Sequence, residues 1–460
     1  MTRWIRQLLA LGMLGAALPA CALDLHGFKP DEIALWAAPV EGRGVLTSHR
    51  ADVPVNPAST MKLLTSWAAL NRLGPTYRWK TDLVSAAPLE NGVLKGDVYW
   101  LGRGDPRFSN ANLQQLLREL RRRGIQQIDG RLVLDRQAFS RIASAEKFGG
   151  DDGKTFMVDP DTQLTQLKVA WLHFYHDDNG PRVALDPALP GVTLSANLQP
   201  GGQGACGDVR QHVHIHEADN QIRVSGTLPR RCDGQQAFVN VLDHVGYAGQ
   251  AFTALWHELG GQGPREVTVG PAPSNARLLA SFESEPLPVE LAEMNKYSNN
   301  TMARALYLTL GREDGHSPDT VANAEYAVRR TLAENHISDE PLVLENGAGL
   351  SRRERVSAHM LGEVLLNSAR GPYAGEFIAS LPIASTDGTL KKRFKDVGPR
   401  LRLKTGTLSN VKALAGYWQA PDGRRLALVA IVNSPRALAM GKALDQVVDD
   451  VIERFASAAP

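Results

Sequence analysis

The sequence predicts an α+β fold, an antiparallel sheet flanked by helices and interrupted by β-rich insertions, on three observations. Met61, Leu63, Leu64, Trp67, Ala68 and Leu70 recur at helical spacing from Ser59 until Gly74-Pro75 stops them. The final section alternates as strands do. Leu401-Arg402-Leu403-Lys404, Ala413 to Gln419, a Pro421-Asp422-Gly423 turn and Leu426 to Val432 form an antiparallel meander, closed by a helix from about Met440 to Phe455. Between these regions, Val183 to Val241 is a series of short alternating strands with Gly, Pro and Asn turns, a small all-β insert.

The other elements follow in chain order. Asp52 to Ser59 is a turn-rich lead into the first helix, and Val93 to Leu101 alternates as a strand segment. Leu113 to Arg123 has an amphipathic helical pattern, and Arg131 to Asp135 has a strand pattern. Helical patterns return at Leu287 to Leu310 and Val321 to Glu334. A chain of 460 residues, 43% hydrophobic and 22% charged, can bury about two or three such domains. Lys+Arg 51 against Asp+Glu 49, with no long run of like charge, argues against a general nucleic-acid-binding surface.

Residues 1–22 combine Arg3 and Arg6, the apolar run Leu8 to Leu18 and a small-x-small Ala20-Cys21-Ala22 end, which is the pattern of a signal peptide cleaved after Ala22. Cleavage there leaves membrane association at most peripheral, and the alternative is a lipidated Cys21 or an uncleaved anchor. No other stretch approaches the length of a membrane span. Export leaves Cys206 and Cys232 as an even pair in an oxidising compartment, where a disulfide is the expectation and free thiols or a metal pair the alternative. His212, His214 and His216 alternate as residues on one strand face would, and an exposed polar face is expected there rather than a metal site.

Three short motifs carry chemistry. In Ser59-Thr60-Met61-Lys62 the i, i+3 spacing lets the Lys62 amine reach the Ser59 hydroxyl, a weak nucleophile until a base takes its proton. Ser59 as a plain helix N-cap is the alternative. In Ser298-Asn299-Asn300 the serine can relay a proton and the Asn300 amide can hold a substrate carbonyl, or both can be turn residues. In Lys404-Thr405-Gly406-Thr407 the amine and hydroxyls can hold a carboxylate, and Gly406 can admit a substrate backbone to a strand edge. Ser144 to Lys147 and Ser195-Ala196-Asn197 repeat the first two patterns in unsuitable contexts.

Their order, with 235 residues between Lys62 and Ser298, resembles the penicillin-binding protein and serine β-lactamase superfamily. Within it the chain is similar to the low-molecular-mass class C penicillin-binding proteins, the D-alanyl-D-alanine carboxypeptidase/endopeptidases. Leu101-Gly102-Arg103-Gly104-Asp105-Pro106, Glu345 to Arg352 and Leu381 to Leu390 extend the likeness. The sequence departs from that family's pattern at Asn346, where Asp is usual, at Ser385, where Gly is common, and at Arg304, where Glu is usual.

The resemblance implies a transpeptidase-like catalytic domain over 23–80 and 272–460, an insert domain over 81–182 and 242–271, and a nested β domain over 183–241. It implies Ser59 as nucleophile, Lys62 as base and Ser298 as proton relay. Substrate contacts would come from Asn300, Lys404, Thr405, Gly406 and Thr407, and from Asp151 or Asp152, which otherwise form a solvated turn. Peptidoglycan peptides and β-lactams are the implied partners, the periplasm is the implied location, and no cofactor or metal is expected. Tyr297-Ser298-Asn299 leaves a β-lactamase or esterase open through a Y-x-N frame, and an inactive wall-binding relative is the non-enzymatic alternative.

Overall fold

The computed structural model of the chain describes residues 23–142 and 157–458. The leader expected over residues 1–22, Cys21 included, lies outside the described residues. Among those described, no helix is long and apolar enough to cross a membrane.

The central layer is a five-stranded antiparallel sheet in the order Leu401–Leu408, Val411–Gln419, Arg425–Asn433, Ile33–Pro39, Thr47–His49. The expected meander supplies its first three strands, and the N-terminal strand pairs with the last of them from Ile33↔Val432 to Pro39↔Leu426. Ile33–Pro39 is apolar almost throughout because both faces of the sheet are covered. Ala34, Trp36 and Ala38 point into one core, and Ile33, Leu35 and Ala37 into another. Leu444, Val447, Val448, Val451, Ile452 and Phe455, one stripe of the helix Gly441–Ser457, fill the second core.

The first core holds the helix Met61–Leu73, every residue of which is buried from Met61 to Leu70. A helix buried on every side belongs between other elements, and its polar Lys62, Thr65 and Ser66 need partners there. Helices Asn300–Asp314, Thr320–Glu334 and Ala358–Arg370 enclose it. The helical pattern of Leu287 to Leu310 is two helices, Leu287–Tyr297 and Asn300–Asp314, because Ser298 adopts a left-handed backbone at φ 58.

The excursion from this layer is built on a second five-stranded sheet, in the order Val267–Val269, Leu132–Asp135, Val98–Leu101, Lys80–Ser85, Arg277–Glu283. Its outgoing strand Lys80–Ser85 and returning strand Arg277–Glu283 are antiparallel neighbours. Trp79 N–H donates to Ser284 Oγ at 3.0 Å and Ser284 N–H to the Trp79 carbonyl at 2.9 Å, closing the excursion at one point. The chain therefore returns to the catalytic layers after Glu283, not at the expected 272. Val93 to Leu101 is likewise not one strand, since Val93–Leu94 pairs in a separate small sheet from Val98–Leu101.

The nested β module starts earlier than the expected 183. Position 183 lies inside the strand Gly180–Asp186, which pairs with Ala170–Asp177, itself paired with Gln236–Val239. A second three-stranded sheet carries Thr193–Pro200, Gln221–Leu228 and Val213–Ala218. Cys206 and Cys232 form a disulfide within this module's core. His212 precedes the strand Val213–Ala218 and bonds the Cys206 carbonyl at 2.7 Å, so it does not share a strand face with the exposed His214 and His216.

Closing a loop of this size by a disulfide contributes about 3 kcal/mol by restricting the unfolded chain. Replacing both Cys206 and Cys232 by Ser is expected to lower the Tm by several degrees while leaving the reactivity of Ser59 within about twofold, because the module shares no core with the central layer. Calorimetry and intact-mass labelling check this together. An equal loss of Ser59 reactivity would contradict the separation of the two cores.

Candidate active site

Ser59 lies in a single 3-10 turn, Ala58–Thr60, at the head of the helix Met61–Leu73. The alternative of a capping serine is not what forms, because Thr60 occupies the cap position and makes no side-chain cap bond. The turn is held under strain, with Ala58 at φ 44. Two glycines press on it. A Cβ on Gly349 would fall 1.8 Å from the Ala58 carbonyl oxygen, and one on Gly406 2.8 Å from that of Pro57. Gly406, expected to make room for substrate, is thus required by the turn that carries Ser59.

Lys62 is fully buried, and its Nζ lies 3.0 Å from Ser59 Oγ, 2.7 Å from Asn300 Oδ1 and 2.5 Å from the Ala348 carbonyl oxygen. The two carbonyl-type oxygens can only accept. A neutral amine gives them its two N–H groups and turns its lone pair to the Ser59 hydroxyl. Burial favours that state, pulling the Lys62 amine down to about 7, with the Glu354 carboxylate opposing.

Glu354 and the Ala348 carbonyl are the parts that motif spacing misses. Glu354 is fully buried and accepts the Glu345 N–H at 3.1 Å and the Asn346 N–H at 3.0 Å. Those bonds pin the loop that offers the Ala348 carbonyl to Lys62. Asn346, in place of the usual Asp, folds the loop on itself: its Oδ1 accepts the Ala348 N–H and its Nδ2 donates to the Leu350 carbonyl, both at 3.0 Å. Burial pushes the Glu354 carboxyl up, against those two N–H groups. No sequence signal marks a backbone carbonyl, and Glu354 stands just past the Glu345 to Arg352 stretch.

The second motif divides its labour. Asn299 accepts the Met302 N–H at 3.0 Å and caps the following helix, while Ser298 and Asn300 face the lysines. Lys404 is buried, and its Nζ donates to Ser298 Oγ at 2.9 Å and to the Thr405 carbonyl at 2.8 Å. Burial, then repulsion from Lys62, holds the Lys404 amine well below the ordinary lysine value. Tyr297 is 62% exposed, so the frame facing the lysines is S-x-N and not Y-x-N.

The K-T-G strand is a sheet edge. Leu403 N–H donates away from the sheet, to the Pro382 carbonyl, so by alternation the N–H groups of Thr405 and Thr407 also face outward. Thr405 Oγ1 is engaged with Thr389 Oγ1 at 2.9 Å, whereas Thr407 is exposed.

Arg304, in place of the usual Glu, is buried against the insert: it pairs with Asp159 at 2.5 Å, and nearby Thr301 Oγ1 donates to the Val158 carbonyl at 2.7 Å. Ser385, in place of Gly, sits at φ 56, a left-handed conformation that costs a serine about 1 kcal/mol. Asp151 and Asp152 lie outside the described residues. Cys206, His212 and Cys232 come together, but the disulfide removes both thiolates as metal ligands.

A sequence profile of the D-Ala-D-Ala carboxypeptidase 3 (S13) family matches residues 14–453. The D-alanyl-D-alanine carboxypeptidase DacB of Haemophilus influenzae is 28% identical over 429 residues, 89% of this chain and 87% of that protein. The D-alanyl-D-alanine carboxypeptidase of an Actinomadura species is 30% identical over 390 residues, 80% of this chain and 71% of that protein. The crystal structure of penicillin binding protein 4 (dacB) from H. influenzae superposes with a TM-score of 0.75 at 24% identity, covering 93% of this chain and 96% of that one. The same protein complexed with a β-lactam gives 0.70.

Because Glu354 holds the Lys62 amine up, Glu354→Gln is expected to lower it further, leaving more neutral amine at a given acid pH. The acid limb of Ser59 acylation then moves to lower pH by about one unit. A pH profile of the acylation rate measures this, and an unmoved or raised limb would contradict the role given to Glu354.

Proposed function

This chain belongs to the D-Ala-D-Ala carboxypeptidase 3 (S13) family, and from that premise we propose how its residues perform the reaction of a serine D-alanyl-D-alanine carboxypeptidase. Ser59 attacks the carbonyl of the penultimate D-alanine while Lys62 takes its proton. The tetrahedral oxyanion is held by the backbone N–H groups of Ser59 and Thr407. Ser298, its oxygen polarised by the Lys404 amine, passes a proton to the departing D-alanine nitrogen and is restored through the lysines. Water then attacks the ester, giving its proton to Lys62 and releasing the shortened peptide and Ser59. Asn300 holds the substrate's carbonyl, and the terminal carboxylate lies at the Lys404–Thr407 end of the strand.

One observation carries this reading: the three contacts at Lys62 Nζ, of which only Ser59 can donate a proton to it. The same ester forms if the leaving amine belongs to a second peptide, so cleavage of cross-links uses no further residue. A β-lactam acylates Ser59 in the same way, but its leaving amine stays tethered and obstructs water. The β-lactam complex of the H. influenzae relative supports that partner. The disulfide, which persists in oxidising compartments, supports work in the periplasm.

Wild-type protein is expected to release D-alanine from uncross-linked muropeptides and to gain the mass of one β-lactam, and Ser59→Ala to do neither. The rate should rise with pH through about 7 as Lys62 loses its proton. Product analysis and intact mass across pH check both expectations. D-alanine release by Ser59→Ala, or a profile flat from pH 5 to 9, would overturn the mechanism.

A further inference from the structure

Lys412 belongs to none of the three motifs, yet it stands at the strand that the reading above gives to the substrate carboxylate. The register sets Lys412 directly opposite Thr407. Since the N–H of Thr407 faces outward, this is a non-hydrogen-bonded pair, the kind in which opposed side chains come closest. Lys412 Nζ donates to Thr407 Oγ1 at 3.2 Å. An ammonium has no lone pair to give back, so the Thr407 hydroxyl must send its own proton elsewhere, and its strand lies on the open edge of the sheet.

The charges around it favour an anion there. Arg393 and Asp445 are the charged groups that act on Lys412, and they pair with each other through both guanidinium Nε and Nη2. Asp445 is therefore largely neutralised, and the Lys412 charge is left uncompensated beside the Thr407 hydroxyl. The other candidates at this strand are already committed. Lys404 is buried on Ser298 and the Thr405 carbonyl, and the Thr405 hydroxyl is bonded to Thr389.

We propose that Lys412 is a specificity-determining residue that, with the Thr407 hydroxyl, recognises the free α-carboxylate at the end of the scissile peptide. Lys412 supplies the charge and orients Thr407 to donate, while Lys404 serves the proton relay. The proposal rests on the assignment of the K-T-G strand to the substrate carboxylate.

The test is steady-state hydrolysis of a D-Ala-D-Ala tripeptide by wild type, Thr407→Val, Lys412→Met, Lys412→Arg and the Thr407→Val/Lys412→Met double variant. Loss of a charge-assisted contact is expected to raise KM about tenfold in Lys412→Met with kcat within twofold. Lys412→Arg should restore most of the affinity. The double variant should be little worse than Thr407→Val alone, because the two groups act as a unit. A raised KM in Thr407→Val with none in Lys412→Met would overturn the proposal and leave the strand's assignment intact. No effect in Thr407→Val would overturn that assignment and the proposal with it. A drop in kcat alone, not rescued by Arg, would make Lys412 a merely structural residue and also refute the proposal.

Discussion

Two lysine amines buried close enough to repel one another are the constraint on which this site depends. Removing an ammonium from water costs several kcal/mol unless a counter-charge compensates it. Here Glu354 is the carboxylate acting on Lys62, and its carboxyl is itself pushed up by burial. The pair is therefore driven toward losing a proton, and the hydrogen bonds decide where. Lys62 meets two obligate acceptors and a hydroxyl, which suits an amine with a lone pair. Lys404 meets a carbonyl and the Ser298 hydroxyl, and it can keep its proton by donating to both.

The architecture serves that arrangement by bringing distant segments against one helix end. The buried helix Met61–Leu73 is fixed in the core between the sheet and three helices, so the Lys62 stem is walled in. The strained turn at Ala58 persists because Gly349 and Gly406 leave space only for that path. The excursion between Lys62 and Ser298 leaves and returns through neighbouring strands bonded at Trp79 and Ser284. A large insertion that leaves and returns through paired strands can be carried without reshaping the catalytic layers, and Arg304 with Asp159 and Thr320 with Ser140 hold it to the helices after the second motif.

Much of this was legible in residue order because it depends on periodicity and side-chain identity. The meander, the closing helix and the first helix each announce themselves through apolar spacing, and the i, i+3 geometry of Ser59 and Lys62 follows from the helix alone. What was not legible depends on backbone atoms and long-range register. The Ala348 carbonyl has no residue signature, and Gly406 reads equally well as room for a ligand or for Pro57. The excursion's boundaries shifted because Arg277–Glu283 is defined by a partner strand almost two hundred residues earlier, which no local pattern reports. The break at Ser298 was legible only from the motif standing between two helical patterns, since both flanking segments have the same helical period.

The central claim is that burial lets the Lys62 amine give up its proton near neutral pH, and direct titration of that amine tests it. With lysines labelled at Cε and Nζ, and Lys62→Arg used to assign the signal, the Lys62 resonance of the resting enzyme should titrate near pH 7. Titration near 10.5, the value of an ordinary lysine, would contradict the account and require another group to take the proton of Ser59.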